Sequence, residues 1–296
     1  MFKLHGIYAP IATPFVQGEI AFDKLNQNMN FWLSSKLAGI VVMGSNGEFV
    51  VLSPEEKRKL ITAVCEAAQG QKPVIVGTGS ESTKETMELN EYSAEAGAAA
   101  ALVLSPNYYK RAMNDSLIRN FYLEVADKSP IPVILYNMPG NSGINLSSKL
   151  VSELAAHPNI IGVKDSGGNI VQIAEIINNT RNLDFTVFAG SASFLYPSLA
   201  LGAKGGTLAL ANILPNECAE MVDLVEAGKH TEAKELQLRL LDINYAVTGR
   251  WGVSGLKAAL DLVGLYGGEA RKPLLPLGEQ EKKELAEILA KAKNPA

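Results

Sequence analysis

Short runs of apolar and β-branched residues recur along this chain, each separated from the next by a stretch of helical spacing. The runs are residues 39–45 (GIVVMGS), 73–79 (PVIVGTG), 99–106 (AAALVLSP), 132–139 (PVILYNMP), 160–166 (IIGVKDS), 185–190 (FTVFAG) and 205–212 (GGTLALAN). An opening strand over residues 7–14 makes eight. Their near-continuous apolar character suits parallel strands covered on both faces. Between two of them, Ser53-Pro54-Glu55-Glu56 reads as a helix start with a capping box, after which Leu60, Ile61, Val64 and Ala68 share one face. Following Asn114, the residues Leu117, Ile118, Phe121, Tyr122 and Val125 repeat that pattern. Eightfold strand–helix alternation predicts an α/β protein, a closed (β/α)₈ TIM barrel. An open, doubly wound sheet is the alternative, since periodicity does not report closure.

Near Ala227 the alternation stops. Leu236, Leu240, Ile243 and Val247 mark one helix, residues 255–263 a second, and Leu285, Ile288 and Leu289 a third, with no strand between. We therefore expect a catalytic barrel over residues 1–226 and an all-helical C-terminal extension over 227–296, packed on the barrel. With 47% hydrophobic residues the chain has material for a large core, and a net charge of −4 without basic blocks argues against nucleic acid. No apolar run approaches the ~20 residues of a bilayer span, and the start at residues 1–6 carries no hydrophobic leader, so a cytoplasmic protein is expected. Cys65 and Cys218 fall within apolar helical patterns and read as buried free thiols.

In such a barrel the C-terminal strand ends carry the chemistry. Three of them bear polar residues that a core would not select: residues 44–48 (GSNGE), Tyr136-Asn137, and residues 164–168 (KDSGG). Strand alternation sets Lys164 opposite Ile161 and Val163. If that face is the interior, desolvation disfavours the ammonium and supplies a free amine able to attack a carbonyl; otherwise Lys164 is a surface lysine at a strand end. Tyr136, one strand away, is placed to move protons or else is a packed rim residue. The Ser45-Asn46-Gly47 turn offers a hydroxyl, an amide and a backbone N–H to an anion, or is an ordinary loop.

Taken in order, these segments resemble the dihydrodipicolinate synthase/N-acetylneuraminate lyase family nearly from end to end. The resemblance rests on residues 44–48, Ser105-Pro106-Asn107-Tyr108-Tyr109, Tyr136-Asn137-Met138-Pro139, residues 162–166 and the Gly190-Ser191 turn. It implies a pyruvate-dependent Schiff-base lyase that joins or cleaves pyruvate and an aldehyde, in a homotetramer, with no metal or organic cofactor. Carried over by position, Lys164 is the imine-forming lysine, Tyr136 the proton-relay tyrosine, and Ser45 and Asn46 hold the 2-oxo acid carboxylate, with Gly190 also at the substrate. Tyr108 matches a tyrosine that reaches into a neighbouring subunit's site, Tyr109 being the adjacent choice. Dihydrodipicolinate synthases usually carry arginine where Asn141 stands. The motifs therefore look closer to the 4-hydroxy-2-oxoglutarate aldolase branch, with Asn141 and Ser166 meeting the distal part of the substrate. Condensation of pyruvate with aspartate semialdehyde is the alternative.

Other classes fit less well. Gly77-Thr78-Gly79 follows a strand, but Ser82 stands where a dinucleotide fingerprint has its third glycine, and no acidic residue ends the next strand. His5, His157 and His230 lack metal-ligand spacing. A non-catalytic barrel that binds a 2-oxo acid has no use for a desolvated amine beside a phenol.

Overall fold

The eight apolar runs form eight parallel strands in the computed structural model, which describes residues 2–293. Met1, at the head of the expected opening, and residues 294–296, at the end of the expected extension, lie outside the described residues. The strands are β1 (Gly6–Pro10), β2 (Gly39–Val42), β3 (Val74–Gly77), β4 (Ala100–Leu104), β5 (Val133–Asn137), β6 (Ile160–Asp165), β7 (Thr186–Ala189) and β8 (Gly205–Thr207). Each pairs with the next and β8 pairs with β1, so the sheet closes and the open-sheet alternative falls.

Alternation along the strands builds two apolar layers. Tyr8, Val41, Ile75, Leu102, Ile134 and Phe188 fill the barrel interior. Their neighbours Ile7, Val42, Val76, Val103, Leu135 and Val187 face the helical shell. Both layers are buried, which is why the runs read as continuous apolar sequence.

The helices start where the capping residues predict. Ser53 caps Pro54–Ala68 with both arms of the capping box, and Leu60, Ile61, Val64 and Ala68 are buried. Each of the larger side chains contributes about 1.5–3 kcal/mol by leaving water. Asn114 caps Asp115–Lys128 through the amide of Leu117. Leu117 itself is exposed, contrary to expectation. Ile118, Phe121, Tyr122 and Val125 already complete the buried stripe, and a residue one step before it rotates outward.

Other departures cluster at element ends. The first strand is shorter than expected, because residues after Pro10 leave the barrel for a small hairpin, Phe15–Val16 with Glu19–Ile20. The run at 205–212 splits into a three-residue strand and a 3₁₀ turn, Ala209–Asn212, where the Asn212 amide donates to the carbonyls of Pro10 and Ala209.

Beyond Pro215–Glu226 the chain is helical: His230–Tyr245, a π-helical turn Ala246–Arg250, Gly252–Leu262 and Glu279–Lys293. Gln237 accepts from the amide of Tyr196 and donates to the carbonyl of Ala192, and Asn244 donates to the hydroxyls of Ser191 and Ser193. The helix His230–Tyr245 thus grips the loop that follows β7. Cys65 and Cys218 are buried and free, and burial pushes the Cys65 thiol up to about 11. Among the described residues no helix is long and apolar enough to cross a membrane.

Candidate active site

Register sets the centre of the site. Across adjacent strands, Tyr136 of β5 pairs with Lys164 of β6, and Lys164 pairs with Phe188 of β7. All three side chains therefore point into the barrel, and Lys164 is only 4% exposed. Its Nζ lies 4.0 Å from the centroid of the Tyr136 ring. The interior reading of Lys164 holds, and the surface reading does not.

The Tyr136 hydroxyl stands 3.4 Å from Ser45 Oγ, at the head of the 3₁₀ turn Ser45–Gly47 that follows β2. Burial alone raises the pKa of this phenol. The charge of Lys164 and hydrogen bonds with Ser45, Lys164 and Ser166 outweigh burial and hold it below the ordinary tyrosine range. A phenol so held is equipped to accept a proton from, and return it to, a group attached at Lys164.

Ser166 and Gly190 join this centre. The Ser166 amide donates to the carbonyl of Asn137 at 2.8 Å, and the Gly190 amide donates to the carbonyl of Asp165 at 2.7 Å. A Cβ at residue 190 would meet Ser166 Oγ at 1.9 Å, so glycine is required where the two loops touch. Asn46 is half-buried in the turn behind Ser45.

Asn141 lies in the short helix Pro139–Ser142 at the mouth. There it lines a cavity of ≈ 360 Å³ together with Ser45, Phe49, Ser80, Leu104 and Ser105. That volume falls in the range of small-molecule sites. A larger cleft of ≈ 950 Å³ lies between the hairpin and residues 266–277 and includes none of the expected site residues. Tyr108 stands apart, 77% exposed, with its ring edge-on to Tyr109 at 5.2 Å and its amide donating to Glu81.

Sequence reasoning missed the group beneath the site. Asp165 is fully buried, and its carboxylate accepts from the Gly167 amide, the Asn137 side chain and the Gln172 side chain. Asn137 in turn donates to Asn145 and accepts from the amide of Leu146. This network ties the loops after β5 and β6 together and so sets the relation of Asn141 to Ser166. A carboxylate ending an apolar strand is the available signal, but its three partners come from separate segments.

The residues behind the rival readings are engaged elsewhere. A Cβ at Gly77 would strike the Met43 carbonyl at 2.1 Å, and one at Gly79 would strike the Leu104 amide at 2.4 Å. These glycines let neighbouring strand ends pack and do not cradle phosphate. His5 and His157 pair with Glu226 and Asp127, and His230 lies beside Tyr196. No cluster of metal-ligating residues occurs among the described residues.

A lysine buried beside a tyrosine, at the C-terminal end of a closed eightfold barrel, fits a carbon–carbon lyase of the Schiff-base aldolase type. The family model described as "Dihydrodipicolinate synthetase family" matches residues 3–292, and the chain belongs to that family of pyruvate-dependent lyases. It is 36% identical over 290 residues to 4-hydroxy-tetrahydrodipicolinate synthase of Methanocaldococcus jannaschii, covering 98% of each chain. The protein of that name from Geobacter metallireducens is 37% identical over 289 residues, again with 98% of each chain covered. Among solved structures, dihydrodipicolinate synthase from Bacillus anthracis superposes with a TM-score of 0.93 at 32% identity, over 98% of this chain and 99% of that one. The chloride-inhibited enzyme from Acinetobacter baumannii, solved with pyruvate, gives a TM-score of 0.92 at 30% identity, over 98% and 99% of the two chains.

Proposed function

We propose that Lys164 forms an imine with pyruvate, that Tyr136 and Ser45 move the protons, and that Ser45, Asn46 and Gly190 surround the pyruvate carboxylate. The observation that carries this reading is the buried Lys164 amine held 4.0 Å from the Tyr136 ring centroid. Imine formation needs the free amine as nucleophile, and the Tyr136 phenol beside Lys164 is placed to take up its proton.

The partner aldehyde is the finer question. Full-length relatives named 4-hydroxy-tetrahydrodipicolinate synthase support condensation of pyruvate with aspartate semialdehyde. That substrate carries a second carboxylate, and in this reading Lys110 supplies its counter-charge. Lys110 crosses Gly143 so closely that a Cβ at 143 would stand 2.9 Å from its Nζ. The 4-hydroxy-2-oxoglutarate reading rests on Asn141 at the mouth, where a neutral amide, with Ser166, would meet the distal carboxylate of that substrate through uncharged donors instead of a guanidinium. Comparing kcat/KM for both reactions on one preparation decides between them. In the synthase reading aspartate semialdehyde is preferred, and Lys110→Met lowers its kcat/KM by roughly 10-fold, the low end for a hydrogen bond to a charged group. A preference for 4-hydroxy-2-oxoglutarate establishes the other branch, with Asn141 and Ser166 at the distal end of the substrate.

The active unit in this reading is a cytoplasmic homotetramer. Tyr108, Tyr109 and Val50 form exposed apolar surface close to the mouth, suited to a neighbouring subunit, and Tyr108 acts across that interface. Mixing inactive Tyr108→Phe and Lys164→Ala chains restores activity if Tyr108 serves the partner's site. Mixed oligomers that form yet stay inactive would exclude it.

A further inference from the structure

The turn that carries Ser45 ends in Glu48, a non-glycine residue held at φ 58° with its side chain 3% exposed. Glu48 Oε1 lies 2.6 Å from Nζ of Lys257, itself 1% exposed, on the helix Gly252–Leu262. Glu48 Oε2 accepts from the amide of Arg271 at 2.8 Å. Lys257 also donates to the carbonyl of Glu269 and lies 4.4 Å from the centroid of the Phe15 ring. The guanidinium of Arg271 pairs with Glu56, in the capping box of the next helix, and donates to the carbonyl of Val51. From the barrel side, Thr13 donates to the carbonyl of Gly47 at 2.7 Å.

A buried ion pair is a poor way to gain stability, because desolvation offsets the attraction and apolar residues of the same volume do as well or better. What such a pair can add is one defined arrangement. Here its anionic half directly follows the turn whose hydroxyl meets Tyr136. We propose that Glu48 and Lys257 are positioning residues for the reaction. Through them the C-terminal helices set the Ser45–Gly47 turn against Tyr136 and the bound 2-oxo acid, much as Gln237 and Asn244 hold the loop after β7.

This inference rests on the reading of Lys164, Tyr136 and Ser45 given above, so borohydride trapping of pyruvate on the wild-type chain is the control. Absence of a Lys164 adduct there defeats the functional reading itself. With that adduct present, the test is Glu48→Asp, which keeps the charge and withdraws it by one methylene, alongside the apolar pair Glu48→Leu/Lys257→Met. Both variants are expected to fold and to trap pyruvate at Lys164 when saturated. Turnover falls by roughly 10²-fold, the scale of a ~1 Å misplacement remote from the chemistry. The pyruvate KM rises, and the Tyr136 phenol titrates at higher pH as Ser45 withdraws. Lys257→Arg, with its longer reach, restores part of the turnover lost in Glu48→Asp. Folded variants with wild-type turnover and an unmoved phenol would overturn the proposal. So would failure of both variants to fold, because the pair would then serve the fold alone.

Discussion

Lys164→Ala should lose turnover by roughly 10⁴–10⁶-fold, the scale seen when a covalent nucleophile is removed. The loss follows from what the amine supplies. The amine adds to the ketone of pyruvate and the oxygen leaves as water, giving an imine that is cationic once protonated. A proton is then removed from the methyl carbon through the Tyr136–Ser45 pair, and the C–H electrons flow into the nitrogen to give the enamine. Among the described residues no other lysine shares the place of Lys164, which is buried with its Nζ against the Tyr136 ring. Borohydride added with pyruvate should leave one three-carbon unit on the peptide containing Lys164, and none on the Lys164→Ala chain. An adduct at another lysine, or unimpaired turnover in the variant, would refute the mechanism.

Tyr136→Phe should retain the pyruvate adduct while turnover drops by about 10²–10⁴-fold, the usual consequence of losing a general acid–base group. The ring remains to pack against Lys164, so only the hydroxyl shared with Ser45 is removed. The same variant checks the electrostatics. Burial raises the phenol's pKa, but the charge of Lys164 and hydrogen bonds with Ser45, Lys164 and Ser166 outweigh it and hold the group below the ordinary tyrosine range. An ultraviolet pH titration of the wild-type chain should therefore show one tyrosine ionising below ~10, absent from Tyr136→Phe. Turnover that survives the substitution would make Tyr136 a packing residue only.

Both expectations concern residues that the amino-acid sequence by itself marks out. Lys164 and Tyr136 lie at the ends of apolar runs, and a polar residue at that point of a barrel strand faces either the site or solvent. Ser45, Asn46 and Ser166 stand out in the same way, as polar loop residues after strands, whereas Gly190 is marked only by the family resemblance. The helix starts at Ser53 and Asn114 are equally plain, because a cap and its partner amide lie within three residues of each other.

What sequence periodicity determined, then, was local: which segments are strands or helices, which face of each is apolar, and which polar residues end a strand. Closure of the barrel, and with it the choice between a buried and a surface Lys164, belonged to the tertiary structure. Periods of two and 3.6 describe neighbours along one element and say nothing of which element lies opposite. The same limit hides the partners of Asp165, drawn from three segments, and the bond from the Arg271 amide to Glu48, 223 positions away. It also misplaces Leu117, whose apolar side chain fits the helical pattern yet turns outward once Ile118 and its stripe meet the barrel. Buried polar groups must find partners wherever packing brings them, and that demand is met only when the whole chain has closed.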